Sequence, residues 1–208
     1  IKYVSSYDGI ADIYISIYGA NGKYVLDKLV FDVDDPLDIQ NALNIAHEIA
    51  NILRRDGVPV VLVHSGSKGF HVYGIFKSVA INDEVTANIV VKESFNYFMS
   101  QIKDLARWVD ITYVNVKGLI RLPGTRHPKT LRYCTPVPLG INRWESLVNY
   151  TVRFNDINYV PRPTRDLRDY VNMYGVENHL VEAPEFNLRA PVEFDVAKYL
   201  SKLVRPCV

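Results

Sequence analysis

The sequence is poor in the features that mark whole classes of protein. It holds two cysteines in 208 residues, Cys134 and Cys207, and neither belongs to a Cys-x-x-Cys pair. That excludes a zinc ribbon built from cysteine, and nothing in the spacing supports a disulfide. No apolar run approaches the roughly 20 residues that cross a bilayer, and no signal-like segment opens the chain, so a cytoplasmic protein with no membrane partner is expected. Low-complexity tracts and internal repeats are absent, and disorder is expected only at the ends. Lys and Arg number 24 against 23 Asp and Glu, a formal net charge of +1. A balance that even excludes nucleic-acid binding by bulk electrostatics, and any such binding has to be local. The first residue is Ile1 rather than Met, as expected of a portion of a longer protein.

What is present is a sizeable apolar fraction, 48%, with 14 tyrosines, enough for a single domain over 1–208 with one core. Residues 12–18 alternate as a strand does, and Asn21-Gly22 signals a hairpin turn into a second strand over Tyr24 to Val33. Asp35 is expected to cap a helix, with Pro36 and Asp38 in its first turn. Ile39, Leu43, Ala46, Ile49, Ala50 and Leu53 form its apolar stripe, and Arg54, Arg55 and Gly57 close it. Val58 to Val63 reads as a buried strand, completing a strand, helix, strand unit. A second helix is expected over Asp83 to Arg107, with Val85, Ile89, Phe95, Phe98, Ile102 and Leu105 facing inward. Cys134 to Leu139 reads as a short strand edged by proline, and Thr164 to Tyr174 as a short helix.

Three clusters carry chemistry. Asp32 and Asp34 stand two apart at the end of a strand, so their carboxylates share a face. Like charges held side by side are best tolerated with a divalent cation near them. Ser65-Gly66-Ser67-Lys68-Gly69-Phe70-His71 offers two glycines that admit a ligand close to the backbone, two hydroxyls, a cation and a histidine at the resumed strand. Asp110 precedes a turn dense in cations, Arg121, Arg126, His127 and Lys129. Singly, these are a solvated strand end, a glycine hairpin and a solvated loop. Together they supply three carboxylates for hard divalent metals and a flexible cationic cradle for a polyphosphate. That is the equipment of nucleotidyl transfer, in which two Mg2+ or Mn2+ ions clamp the attacking and leaving oxygens.

The order Phe-Asp-Val-Asp, Ser-Gly-Ser-Lys-Gly-Phe-His-Val-Tyr, Val-Asp-Ile-Thr and Leu-Ile-Arg-Leu-Pro-Gly-Thr-Arg-His-Pro-Lys-Thr resembles the archaeo-eukaryotic primase superfamily. It looks most like the small catalytic subunit of archaeal and eukaryotic replicative primases, over roughly Leu29 to Leu139. The resemblance implies an α+β core: a mixed sheet with a module like an RNA-recognition fold, packed beside an α/β lobe, the two sub-lobes flanking one cleft. It implies a DNA-dependent primase or primase-polymerase making primers on a single-stranded DNA template from nucleoside triphosphates. Asp32, Asp34 and Asp110 would be catalytic and hold the two metal ions. Ser65, Ser67, Lys68 and His71 would hold nucleotide phosphates from one side, with Arg121, His127 and Lys129 on the other, while Arg126 has no counterpart. Partners implied are a large primase subunit or a fused helicase or regulatory domain. The departures are Ser67-Lys68 where relatives often carry two cations, and no room for a zinc knuckle between Asp34 and Ser65, so no zinc is expected. Arg162, Arg165 and Arg168 are the cations expected to touch template. The competing readings are an end-joining or repair polymerase of the same superfamily and a non-catalytic accessory subunit.

Overall fold

A computed structural model of the chain describes residues 6–20, 23–148 and 162–171. Its elements in chain order are β1 (Tyr14–Ser16), β2 (Gly19–Ala20), β3 (Lys23–Asp34), α1 (Ile39–Arg55), β4 (Val60–His64), β5 (Gly69–Ile81), α2 (Glu84–Met99), β6 (Val109–Asp110), β7 (Leu119–Arg121), β8 (Thr135–Val137) and α3 (Glu145–Val148). Short 3-10 turns occupy Lys103–Trp108 and Leu167–Tyr170. The fold is α+β.

β3 runs 12 residues, buried without a break from Lys28 to Val33, with a register shift between Leu26 and Lys28. It pairs with β5 from Tyr24↔Ile81 to Asp34↔Gly69. The six-stranded sheet runs β2-β3-β5-β4-β8, with β6 added to the outer edge of β3. Its ladders are antiparallel throughout, where a mixed sheet was expected. β3 and β4 do run parallel, as the strand, helix, strand unit requires, but β5 is laid between them. That is a split unit, in which the later strand fills the gap left by the crossover. β1 and β7 form a separate antiparallel pair. Asn21 and Gly22 lie outside the described residues; the strands they join pair as a hairpin, Gly19↔Tyr24 and Ala20↔Lys23.

Alternation decides what each face of the sheet does. Phe31 stacks on Phe95 of α2 at 4.9 Å and meets Phe98 edge-on at 6.4 Å, while Phe76 of β5 lies 6.4 Å from Phe98. At Gly74, on the same side, a Cβ would meet Leu53 of α1 at 3.1 Å. Both helices therefore cover one face, and they bury the expected stripe of α1 from Leu43 to Leu53. The opposite face carries Asp32, Asp34, His71 and Tyr73.

Three local expectations are corrected. The α1 cap is Asp38, whose carboxylate accepts from Gln40 N and Asn41 N. Asp35 is instead buried in the preceding turn, accepting from Leu37 N, Asp38 N and Asn41 Nδ2. The second helix stops at Met99, because Ser100 Oγ bonds back to Tyr97 O and Gln101 N and Ile102 N bond three residues back. Its buried side is Ala87, Val90, Val91, Phe95 and Phe98, whereas Val85 and Ile89 are 67% and 37% exposed. Apolar residues surround that helix on several sides, so periodicity did not select the inner one. The segment 162–171 is docked on the helix-covered side: Leu167 O accepts from the buried Ser94 Oγ, and Tyr170 packs on Phe76, Tyr97 and Phe98. Among the described residues no helix is long and apolar enough to cross a membrane.

Phe98 is 1% exposed and touches rings from β3, β5 and the Leu167–Tyr170 turn. Phe98→Ala should lower unfolding free energy by about 3–5 kcal/mol, read as a lowered urea midpoint; a loss under about 1 kcal/mol would contradict this packing.

Candidate active site

One row of the sheet gathers the acidic residues. Asp32 pairs with Asp110 of β6 on one side and with His71 of β5 on the other, and His71 pairs in turn with Val63. Residues paired across strands project to the same face. Asp110, Asp32 and His71 therefore line up across three strands, and Asp34, two residues on, shares the face beside Gly69. What the sequence separates by about 78 positions, from Asp32 to Asp110, the β3–β6 ladder brings side by side.

The electrostatics of that row are unfavourable as it stands. Asp32 is 9% exposed, and burial first, then Asp34 and Asp110, push its pKa up to about 7, against the pull of Lys68 and Arg121. His71 is buried deeper, and burial, with Arg121 and His64 nearby, pushes its pKa down to about 3, so it is neutral. Its Nε2 lies 3.7 Å from Asp32, beyond hydrogen-bond reach, and its Nδ1 has no partner among the described residues. Asp34 is held by Lys68 at 2.8 Å. Asp110 is exposed, and it accepts from Thr112 N at 2.8 Å and from the Thr112 hydroxyl. Among the described residues no three Asp, Glu, His or Cys side chains converge tightly enough to ligate one ion in this arrangement. The donor chemistry nonetheless fits a hard divalent cation: three carboxylates on adjoining positions of one face, one of them pushed toward its protonated form by burial and by the other two.

The glycine turn and the cationic turn are fastened together. Gly66 takes φ +88°, and a Cβ there would meet Arg132 O at 2.9 Å and His127 Cβ at 3.2 Å. The Thr130 hydroxyl donates to Gly66 O. Gly69 is needed for space: a Cβ would lie 2.1 Å from Val33 O and 2.2 Å from an Asp34 carboxylate oxygen. Ser65 is buried, and its Oγ accepts from Ser67 N at 3.4 Å. Arg121, 7% exposed, lies 2.6 Å from Asp12 and 5.4 Å from the Tyr14 ring centroid. His127 is half-buried beside Arg121, and its Nδ1 accepts from Lys129 N at 3.1 Å. Its pKa is lowered by burial, then by Arg121, while Asp12 opposes.

The expected residues thus divide. Asp32, Asp34, Asp110, Lys68, His71 and Arg121 share one neighbourhood, and Ser65, Ser67 and His127 form its border. Lys129 stands exposed on the outer rim, and Arg126 is tied to Asp8 at 3.0 Å. Arg165 and Arg168 lie with the segment docked against the helices: Arg165 Nε donates to Asp56 O, and Arg168 forks onto Asp166. The sheet stands between them and the carboxylates. Arg162 is exposed in the same segment. Three neighbours of the site escaped the sequence reading. Asp12 and Tyr14, two apart, both contact Arg121, a spacing visible in sequence once Arg121 is suspected. Tyr113 gave no such signal; its hydroxyl pKa is raised by burial, then by Asp32 and Asp110.

No protein-family model matches the chain, and no curated protein does. Among solved structures the chain is similar to the polymerase domain of Mycobacterium tuberculosis ligase D, solved in complex with DNA. Identity is 16%, the TM-score is 0.44, and the match covers 83% of this chain and 64% of that one. The chain therefore spans just under two thirds of that domain's length. The functional reading rests on the site itself.

The pKa shifts set a pH dependence. Asp32, raised from 3.8 to about 7, favours the folded state at low pH and loses that contribution as pH rises through about 7. His64 and His71, lowered to about 4 and about 3, act oppositely: their contribution is present above 6.5 and lost as pH falls. Two histidines outweigh one aspartate between pH 4 and 6.5, so stability should rise over that range. Asp32→Asn removes one side of the balance. In chelator, its stability relative to the parent should grow by about 2–3 kcal/mol between pH 5 and pH 8, read by urea unfolding at both. A difference that does not change with pH would show that Asp32 titrates normally.

Proposed function

We propose that this chain is a nucleotidyltransferase of primase-polymerase type, using Mg2+ or Mn2+ to join nucleoside triphosphates on a single-stranded DNA template. The observation that carries the proposal is the row Asp110–Asp32–His71 across three antiparallel strands, with Asp34 beside it and a cationic turn fastened at its end. Carboxylates so placed are unfavourable together unless a cation joins them. Asp32, Asp34 and Asp110 would hold the metal ions, which when bound lower the pKa of the attacking hydroxyl and offset charge on the phosphates. Lys68 now neutralises Asp34; with metal on that carboxylate, its ammonium would be free to pair with a triphosphate. Arg121 and His127 would add cationic contacts to those of Lys68, and neutral His71 offers a ring N–H rather than a charge. Gly66 and Gly69 let the triphosphate approach the turn's backbone amides. No protein group needs to serve as general base.

Primase activity is the favoured form, because the His127-Pro128-Lys129-Thr130 turn resembles replicative primases more than end-joining polymerases. The large subunit or fused helicase that such a core would serve is part of the same proposal.

The test is primer synthesis on single-stranded DNA with labelled nucleotides and Mn2+ or Mg2+, alongside an Asp32→Ala, Asp34→Ala double variant. Products are expected from the parent, with at least a thousandfold loss in the variant, about 4 kcal/mol of transition-state stabilisation. Products only when a primer 3′-end is supplied would make the chain an extending or end-repairing polymerase. No products and no metal-dependent nucleotide binding would overturn the proposal in favour of an accessory subunit.

A further inference from the structure

Arg165 sits by Asp56 at the far end of α1 and Arg168 is tied to Asp166, so a template needs another path to the carboxylates, and the loops at the glycine-turn end of the sheet are equipped for it. Three arginines from the end of β7 onward lie against aromatic rings: Arg121 over Tyr14 at 5.4 Å, Arg126 over Tyr133 at 5.8 Å and Arg132 over Trp144 at 5.5 Å. The first two are engaged, Arg121 by Asp12 and Arg126 by Asp8. The third is not. Arg132 is exposed, and so are Lys129 and Arg143 near it, and none of the three forms an ion pair among the described residues.

Trp144 is anchored from within. Its ring lies 5.0 Å from His64 and 6.3 Å from Phe70, and its backbone N–H donates to Gln40 Oε1 at 2.7 Å. The inner side of the ring is packed and the half-buried remainder lies under a guanidinium, so it is held rigid and partly wet. An open cleft of about 560 Å³ adjoins it in the chain, lined by Gln40, Asn142, Arg143, Glu145 and Ser146. Glu145 is the one anion there. The same turn that carries Lys129 and Arg132 is bound to the glycine turn through Thr130 and Gly66 O, and His127 N–H donates to Arg132 O at 2.9 Å. Ring and cleft lie on the helix-covered side, since Trp144 packs on His64 and Phe70 and bonds Gln40 of α1, and the Thr130–Gly66 tie joins them to the glycine turn around the end of the sheet.

We infer that Lys129, Arg132 and Arg143, arranged around Trp144, form the binding track for single-stranded nucleic acid. The inference rests on the nucleotidyltransferase reading for its purpose, because template must reach the carboxylates. Its physical basis is separate: cations without a carboxylate partner take phosphates, and a fixed indole with a guanidinium beside it offers a base a stacking platform. The track also answers the net charge of +1, since three local cations suffice where the whole surface is neutral.

The track is tested in chelator, without nucleotide, by anisotropy of a fluorescent dT20 strand between 50 and 300 mM KCl. For Arg132→Ala, Arg143→Ala, both exposed positions, affinity should fall about tenfold and the slope of log K against log salt by about 1.4, at about 0.7 per phosphate contact on single strands. Arg165→Ala, Arg168→Ala should leave both unchanged. In a Trp108→Phe background Trp144 is the sole tryptophan, and dT20 should quench it while pyrophosphate does not. Quenching by pyrophosphate alone, an unchanged slope in the Arg132, Arg143 variant, or no dT20 binding by the parent would each overturn the track. Primer synthesis alongside an unchanged slope would remove the track and leave the enzyme reading intact. Binding through the track without synthesis or metal-dependent nucleotide binding would do the reverse.

Discussion

The ladder between β3 and β5 is the constraint on which everything else in the described structure depends. Its register sets Phe31 and Phe76 against α2 and, by the same alternation, Asp32, Asp34 and His71 on the other face. A slip of one residue in β3 would send Phe31 to the site and Asp32 and Asp34 into the core. Burial of the aromatic face fixes the register, and the register positions the chemistry. The acidic row is therefore placed by hydrophobic packing on the far side of a single layer of backbone.

That arrangement sets stability against function. Asp32 is buried among like charges, with a neutral histidine 3.7 Å away and Lys68 and Arg121 offsetting only part of the cost. A chain shaped only for folding would place an apolar residue there, as it does at Phe31 and Val33 on either side. The ion pair of Lys68 with Asp34, at 2.8 Å, relieves part of the repulsion, but Lys68 is half exposed and the pair is weak. The unfavourable charge is concentrated in one row, as expected where a site is shaped for a ligand that brings opposite charge.

Much of this was legible in sequence because it follows from short-range rules. The two-residue spacing of Asp32 and Asp34 predicts a shared face, and the stripe from Leu43 to Leu53 predicts the buried side of α1; both hold. The α1 cap was misplaced by three residues because Asp35 and Asp38 are chemically equal, and only the fold shows that Asp35 is spent on the turn before the helix. The insertion of β5 between β3 and β4 is a matter of sheet order, which periodicity does not carry. Arg165 and Arg168 illustrate the same limit: charge pattern marked them as cations, but which face of the sheet they occupy depends on Leu167 and Tyr170 docking against α2. Tyr113 and Trp144 gain their settings only from contacts distant in the chain.

The split strand order also has a consequence for how the chain folds. β3 and β4 do not touch, so α1 can form on its own while neither strand has a sheet to join until β5 arrives. The ladder's ends differ in cost: Asp34 and Gly69 are about 35 residues apart along the chain, Tyr24 and Ile81 about 57, and the shorter loop closes with less loss of entropy. Zipping should therefore start at the end that holds the carboxylates and run away from it. The region destined for chemistry would be the nucleus of the sheet, and substitutions there would slow folding as well as alter the finished site.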